Sequence, residues 1–228
     1  MYFKPDCMTK ALHWIARFIS FVFHPIFMVC YMLGLLLLVN PQLFGYSRWN
    51  QNLSLLILVF VSTVVIPGIA ISMMRPLGFI QSLKMEEKKE RIIPLIVVMI
   101  FYLWLFINFY KNKNIPFPLT TILLGVIIGL FLSFFITVFS KISIHAVGAG
   151  GLLGMLILTR LFFSYESFIW PVGAGSMIST DLLLLVAIII AGMIGTSRLI
   201  LESHHPGQVW GGYLIGLSSM MLAYTLLH

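Results

Sequence analysis

Charge is scarce in this chain. Lys, Arg, Asp and Glu make up only 9% of its 228 residues, against roughly 25% in an average soluble domain. With a mean hydropathy of +1.05, there is too little polar surface to cover an apolar interior of this size in water. Cysteine is scarce as well: Cys7 and Cys30 lie in or near the first apolar region, without the spacing of a zinc site, a redox pair or a disulfide framework. No polar domain, low-complexity tract or convincing repeat interrupts the pattern. Lys4 and Lys10 precede an apolar stretch but no small-residue cleavage pattern follows, so no removable signal peptide is expected. The net charge of +7 does not point to nucleic acid. The basic residues sit in short connections between apolar runs, where cytoplasmic retention and anionic lipid headgroups account for them.

What the chain does have is apolar length. A spanning helix needs about 20 apolar residues, and runs of that order fall at 24–39, 52–74, 92–110, 118–139, 145–164, 179–200 and 208–227. These runs predict an all-α, polytopic bundle of transmembrane helices, with six or seven spans forming one integral membrane domain over 1–228. The first run is the ambiguous one. His24-Pro25 interrupts a stretch that begins near Ala11, because proline removes a backbone donor and disfavours helix at the residue before it; an interfacial helix over 8–22 is the alternative. Most connections are short, which implies antiparallel neighbours. Gly148, Gly150, Gly151 and Gly154 in the fifth run, and Gly212 and Gly216 in the seventh, are small-residue stripes that let helices approach closely.

Three polar clusters survive at the ends of these runs: Lys84 to Arg91, Ser143 to His145, and Ser197 to His205. Two spans separate each from the next, so all three are expected on one face of the membrane. Arginine binds two oxygens in a planar fork, lysine adds a point charge, and the start of a helix after His145 adds free backbone N–H groups. Such a set suits the phosphate of a lipid headgroup. Isolated histidines at helix edges, His13, His24 and His228, read as interfacial or structural, and Arg160 with Asp181 as a structural pair on the opposite face. Basic residues favour the N-terminal side, with Lys4, Lys10, Arg17, Arg75, Lys84, Lys88, Lys89, Arg91, Lys141 and Arg198 there against Arg48, Lys111, Lys113 and, at a helix end, Arg160 opposite. That bias puts the clusters at the cytoplasmic face, and the reading places the protein in a bacterial cytoplasmic membrane.

The ordered clusters resemble the signature of the type-2 phosphatidic acid phosphatase (lipid phosphate phosphatase) superfamily: Lys-x6-Arg-Pro, Pro-Ser-Gly-His and Ser-Arg-x5-His-x3-Asp. Lys84 and Arg91 hold the first spacing, Ser143 and His145 match the second, and Ser197, Arg198 and His204 hold the third. The resemblance covers 84–216 and leaves the helices of 1–83 outside it. Ile92, Ile142 and Ile144 replace the Pro and Gly positions, and Gln208 replaces the Asp. The resemblance implies a metal-independent hydrolase of a lipid phosphate or diphosphate monoester, needing no cofactor. His204 would be the nucleophile that forms a phosphohistidine, His145 the acid and base, and the residue at position 208 the orienter. Lys84, Arg91, Ser143 and Arg198 would bind the phosphate. One slipped residue would exchange His204 with its neighbour His205, and Glu202 is a carboxylate within reach of compensating for Gln208. An amide at 208 offers no negative charge, and loss of the comparable carboxylate in a Ser-His-Asp triad lowers turnover about 10⁴-fold. Gln208 therefore also suits a catalytically silent protein of the same fold that binds or moves an anionic lipid.

Overall fold

The computed structural model describes residues 7–45, 52–81, 88–164, 167–169 and 177–228, with the side chains of 7–9, 88, 89 and 91 left out. Seven helical segments are long and apolar enough to cross a membrane: Lys10–Val39, Leu53–Met74, Ile92–Lys111, Phe117–Phe139, Ile144–Phe163, Thr180–Ile200 and Pro206–Leu227. The protein is an all-α polytopic bundle. Outward-facing side chains such as Ile57, Phe135, Ile189 and Leu214 are large, apolar and exposed, as a surface solvated by lipid requires.

The first segment is two helices. Helix α1, Cys7–Val22, ends before His24, whose extended backbone (φ −65°, ψ 139°) is the conformation that a following proline imposes. A single 3₁₀ turn, Pro25–Phe27, then leads into α2, Met28–Val39. Tyr31 Oη donates to the carbonyl of Val22 at 2.7 Å across this bend. The second span is continuous from α3, Leu53–Phe60, to α4, Ile66–Met74, through a π turn at Val61–Val65. The cause lies just downstream. Pro67 has no N–H to offer the carbonyl four residues back, and a widened turn relieves the clash its ring would make there. Helices α5, Lys88–Lys111, and α6, Phe117–Phe139, complete the outer wall.

At the centre is α7, Ile144–Leu158, prolonged by a π turn at Thr159–Phe163; this span is the most buried of the seven. After a short antiparallel ribbon on the opposite face, β1 Ser167–Ile169 with β2 Met177–Ser179, the chain returns through α8, Thr180–Ile200, and leaves again in α9, Pro206–Leu227. The glycine stripes make α7 and α9 the closest pair. A Cβ on Gly150 would overlap the backbone of Tyr213, and one on Gly216 would overlap the carbonyl of Val147 and the N–H of Gly151. Helix α2 runs beside α7 in the same direction: Met28 lies against Gly148, Met32 against Gly151, and Asn40 Nδ2 donates to the carbonyl of Phe163 at 2.8 Å. That alignment brings the α1–α2 bend to the end of the bundle where α7 and α9 begin. Arg160 and Asp181 form the expected pair at the other end, at 2.8 Å.

Candidate functional site

The turn that joins α8 to α9 is built by backbone chemistry. Ser203 N–H donates to the carbonyl of Arg198 and Glu202 N–H to that of Leu199, the paired bonds of a Schellman ending, and Glu202 takes the left-handed conformation at φ 51°. The reversal holds Arg198 and His204 at one polar edge, and Pro206 then starts α9 where a missing N–H costs nothing. His204 is buried and faces a cavity of about 240 Å³, whereas His205 is exposed and outside it. Burial thus distinguishes the neighbouring pair, and the residue that faces the cavity is His204, the one the spacing favours. Glu202 is exposed, and Gln208 hydrogen-bonds His204.

That contact has a readable polarity. His204 Nδ1 lies 3.0 Å from Gln208 Oε1, and the same oxygen accepts the backbone N–H of His205 at 3.3 Å. A backbone N–H can only donate, so the amide must present its oxygen here, and Nδ1 must carry the proton that His204 gives it. In the neutral ring the lone pair is then on Nε2.

His145 begins α7, whose N-cap is Ser143. The Ser143 hydroxyl accepts from Ala146 N–H at 3.4 Å and is fully buried, and Ser143 is not among the residues that line the cavity. Its first task is therefore to cap the start of α7 rather than to face a ligand. The ring of His145 does line the cavity. Its Nε2 lies 3.1 Å from the carbonyl of Ser20, an acceptor only, so Nε2 carries a proton and Nδ1 is the nitrogen that can take one up. Arg198 Nη1 donates to Ser20 Oγ at 3.2 Å, Ser20 Oγ lies 3.1 Å from Ser197 Oγ, and Ser197 passes its own proton to the carbonyl of Ile194 at 2.7 Å. The chain of bonds runs one way, from guanidinium to hydroxyl to hydroxyl to carbonyl.

His145, His204, Gln208 and Arg198 thus gather at one edge. Lys84 lies outside the described residues, and so does the side chain of Arg91, whose backbone stands in the first turn of α5, three residues before the cavity-lining Pro94. Two participants were missed by sequence reasoning. Ser20 and His24 belong to the helices set outside the resemblance, yet Ser20 bonds both His145 and Arg198, and His24 lines the cavity with its ring 5.3 Å from that of His145. The reading of His24 as interfacial or structural is met in part by its cap on Ile26 N–H, and its place in the cavity lining is added to it. The signal available was His24-Pro25 itself, a titratable residue fixed at a helix break inside a long apolar run. Below the polar edge the cavity wall is apolar, with Pro94, Leu95, Val98, Val126 and Leu130. Among the described residues no three His, Cys, Asp or Glu side chains gather as a metal site. The arrangement can bind an anion at one end and hydrocarbon at the other. No family model, no curated protein and no solved structure matches the chain.

Proposed function

We propose that this protein is a metal-independent hydrolase of a lipid phosphate or diphosphate monoester, a divergent relative of the type-2 phosphatidic acid phosphatases. The observation that carries this reading is the state of His204. Its Nδ1–H is held by Gln208 at 3.0 Å, so the neutral ring carries its lone pair on Nε2, and the residue lines a cavity with Arg198 and His145, above an apolar wall. A nucleophile needs that lone pair, a dianion needs the cation, and a lipid needs the wall.

In this mechanism Nε2 of His204 attacks phosphorus, the bond to the lipid oxygen breaks with its electron pair, and that oxygen takes a proton from His145. Because Nε2–H of His145 is engaged by the Ser20 carbonyl, the transferred proton is one that Nδ1 has first taken up from solvent or from the monoanionic phosphate ester, so that His145 enters the step as the imidazolium and leaves it neutral. Water then gives a proton back to His145 and attacks phosphorus, the P–N bond breaks, and phosphate leaves. Arg198, with Lys84 and Arg91 by resemblance, neutralises the phosphoryl oxygens.

A second reading keeps the fold and loses the chemistry: a protein that binds or moves an anionic lipid. The neutral amide of Gln208 favours it, since nothing there stabilises an imidazolium as a carboxylate would. Phosphate release separates the two. Purified protein in detergent, given phosphatidate, phosphatidylglycerol phosphate, a polyprenyl diphosphate and a phosphorylated glycolipid in turn, is expected to release phosphate from at least one, equally with and without EDTA. Binding without release across the whole panel would favour the second reading, and inhibition by EDTA that zinc or magnesium restores would point to other chemistry.

A further inference from the structure

The junction of α1 and α2 stands outside the stretch that carries the resemblance, yet it reaches into the cavity. Ser20 holds His145 and Arg198 through its carbonyl and hydroxyl. One turn later, His24 lines the same cavity, edge-on to His145. Its own hydrogen bonding fixes its tautomer. The backbone N–H of Ile26 donates to His24 Nδ1 at 3.4 Å, capping the turn at Pro25–Phe27. A nitrogen that accepts from a backbone N–H carries no proton, so in the neutral ring the proton is on Nε2. His24 is then a fixed N–H donor. It is unsuited to deliver a proton, because a second one would have to sit on Nδ1 and displace the Ile26 bond.

We propose that His24 is a third histidine of this site, a neutral donor whose Nε2–H binds an oxygen of the ligand's phosphoryl group, and that the α1–α2 junction is part of the anion-binding machinery. This rests on the phosphate reading above and assigns the three rings different tasks. His204 presents a lone pair, His145 has a nitrogen open to a proton, and His24 has a donor held in place by the helix break that Pro25 enforces.

Two substitutions separate donation from capping. Asparagine at position 24 places an oxygen where Nδ1 stands, so His24→Asn keeps the cap on Ile26 and loses the distal donor. Glutamine places an amide N–H near the position of Nε2, so His24→Gln keeps the donor and weakens the cap. The probes are inorganic phosphate, read by thermal stabilisation of the full chain in detergent, and dodecyl phosphate, read by KM and kcat. His24→Ala and His24→Asn should weaken phosphate binding and raise KM on the order of tenfold, while His24→Gln stays within about threefold of the parent. Rescue by Asn but not Gln would reduce His24 to a cap and overturn the proposal, as would failure of Gln to restore binding or parental behaviour of all three variants. If the parent protein is neither stabilised by phosphate nor active on dodecyl phosphate, the phosphate reading falls and this inference with it. Stabilisation of the parent that His24 variants leave unmoved sinks the inference alone.

Discussion

Gln208 performs one half of what a carboxylate does for a histidine. Its oxygen, turned by the N–H of His205, selects the tautomer of His204, but it brings no charge to stabilise the imidazole as it gains a bond to phosphorus. Glutamate has the same reach as glutamine and adds that charge. Gln208→Glu is therefore expected to raise turnover on the responsive lipid phosphate by about five- to tenfold, the difference between a neutral and a charge-assisted hydrogen bond. Unchanged or lower turnover would mean that the pocket is adapted to the amide. At this scale the sequence was informative where spacing matters and silent where side-chain direction matters. The five residues between Arg198 and His204 and the three between His204 and Gln208 could be read directly. That Ser143 would spend its oxygen on Ala146, and that His204 rather than His205 would face inward, depended on how the turn closed.

Between elements, the contact of α7 with α9 decides the geometry, because His145 and His204 enter the site from the ends of those two helices. Gly216 sits where any side chain would strike the backbone of Val147 and Gly151, while Gly211, five residues earlier on the same helix, has nothing within 4 Å of where a Cβ would be. Gly216→Ala is expected to cost about 2 kcal/mol or more through overpacking, and Gly211→Ala to be neutral or to stabilise by up to ~1 kcal/mol through helix propensity. Thermal unfolding of the two variants in one detergent checks the contrast, and equal effects would contradict this packing. The glycine stripes were legible as packing surfaces from their spacing. The approach of the α1–α2 bend to His145 was not, because it follows from Met28 and Met32 seating on Gly148 and Gly151, contacts between segments more than a hundred residues apart.

Across the whole molecule, the helical bundle follows from apolar run length alone. Only helices satisfy their backbone within the segment, so stretches of about 20 apolar residues left little choice of fold, and the exception at His24 was marked by its proline. Span parity sets a further expectation. The connection before α7 and the turn before α9 should lie on one face of the membrane, and the α5–α6 connection on the other. In a background lacking Cys7 and Cys30, Lys141→Cys and Ser203→Cys should react together with a membrane-impermeant thiol reagent and Lys113→Cys oppositely. The bias of basic residues toward the first face makes Lys113→Cys the one labelled in intact cells. Labelling of Lys141→Cys and Ser203→Cys from outside reverses only the orientation; a split between those two breaks the site.

The central claim is that His204 becomes phosphorylated during turnover. Rapid quenching in alkali of the protein with a lipid phosphate labelled in its phosphoryl group should trap an acid-labile, alkali-stable phosphohistidine. The label should be present in the parent protein and in His205→Ala and absent from His204→Ala, which retains its helical signal. Label that persists in His204→Ala, or phosphate release with no protein-bound phosphoryl group at any time, would contradict the account.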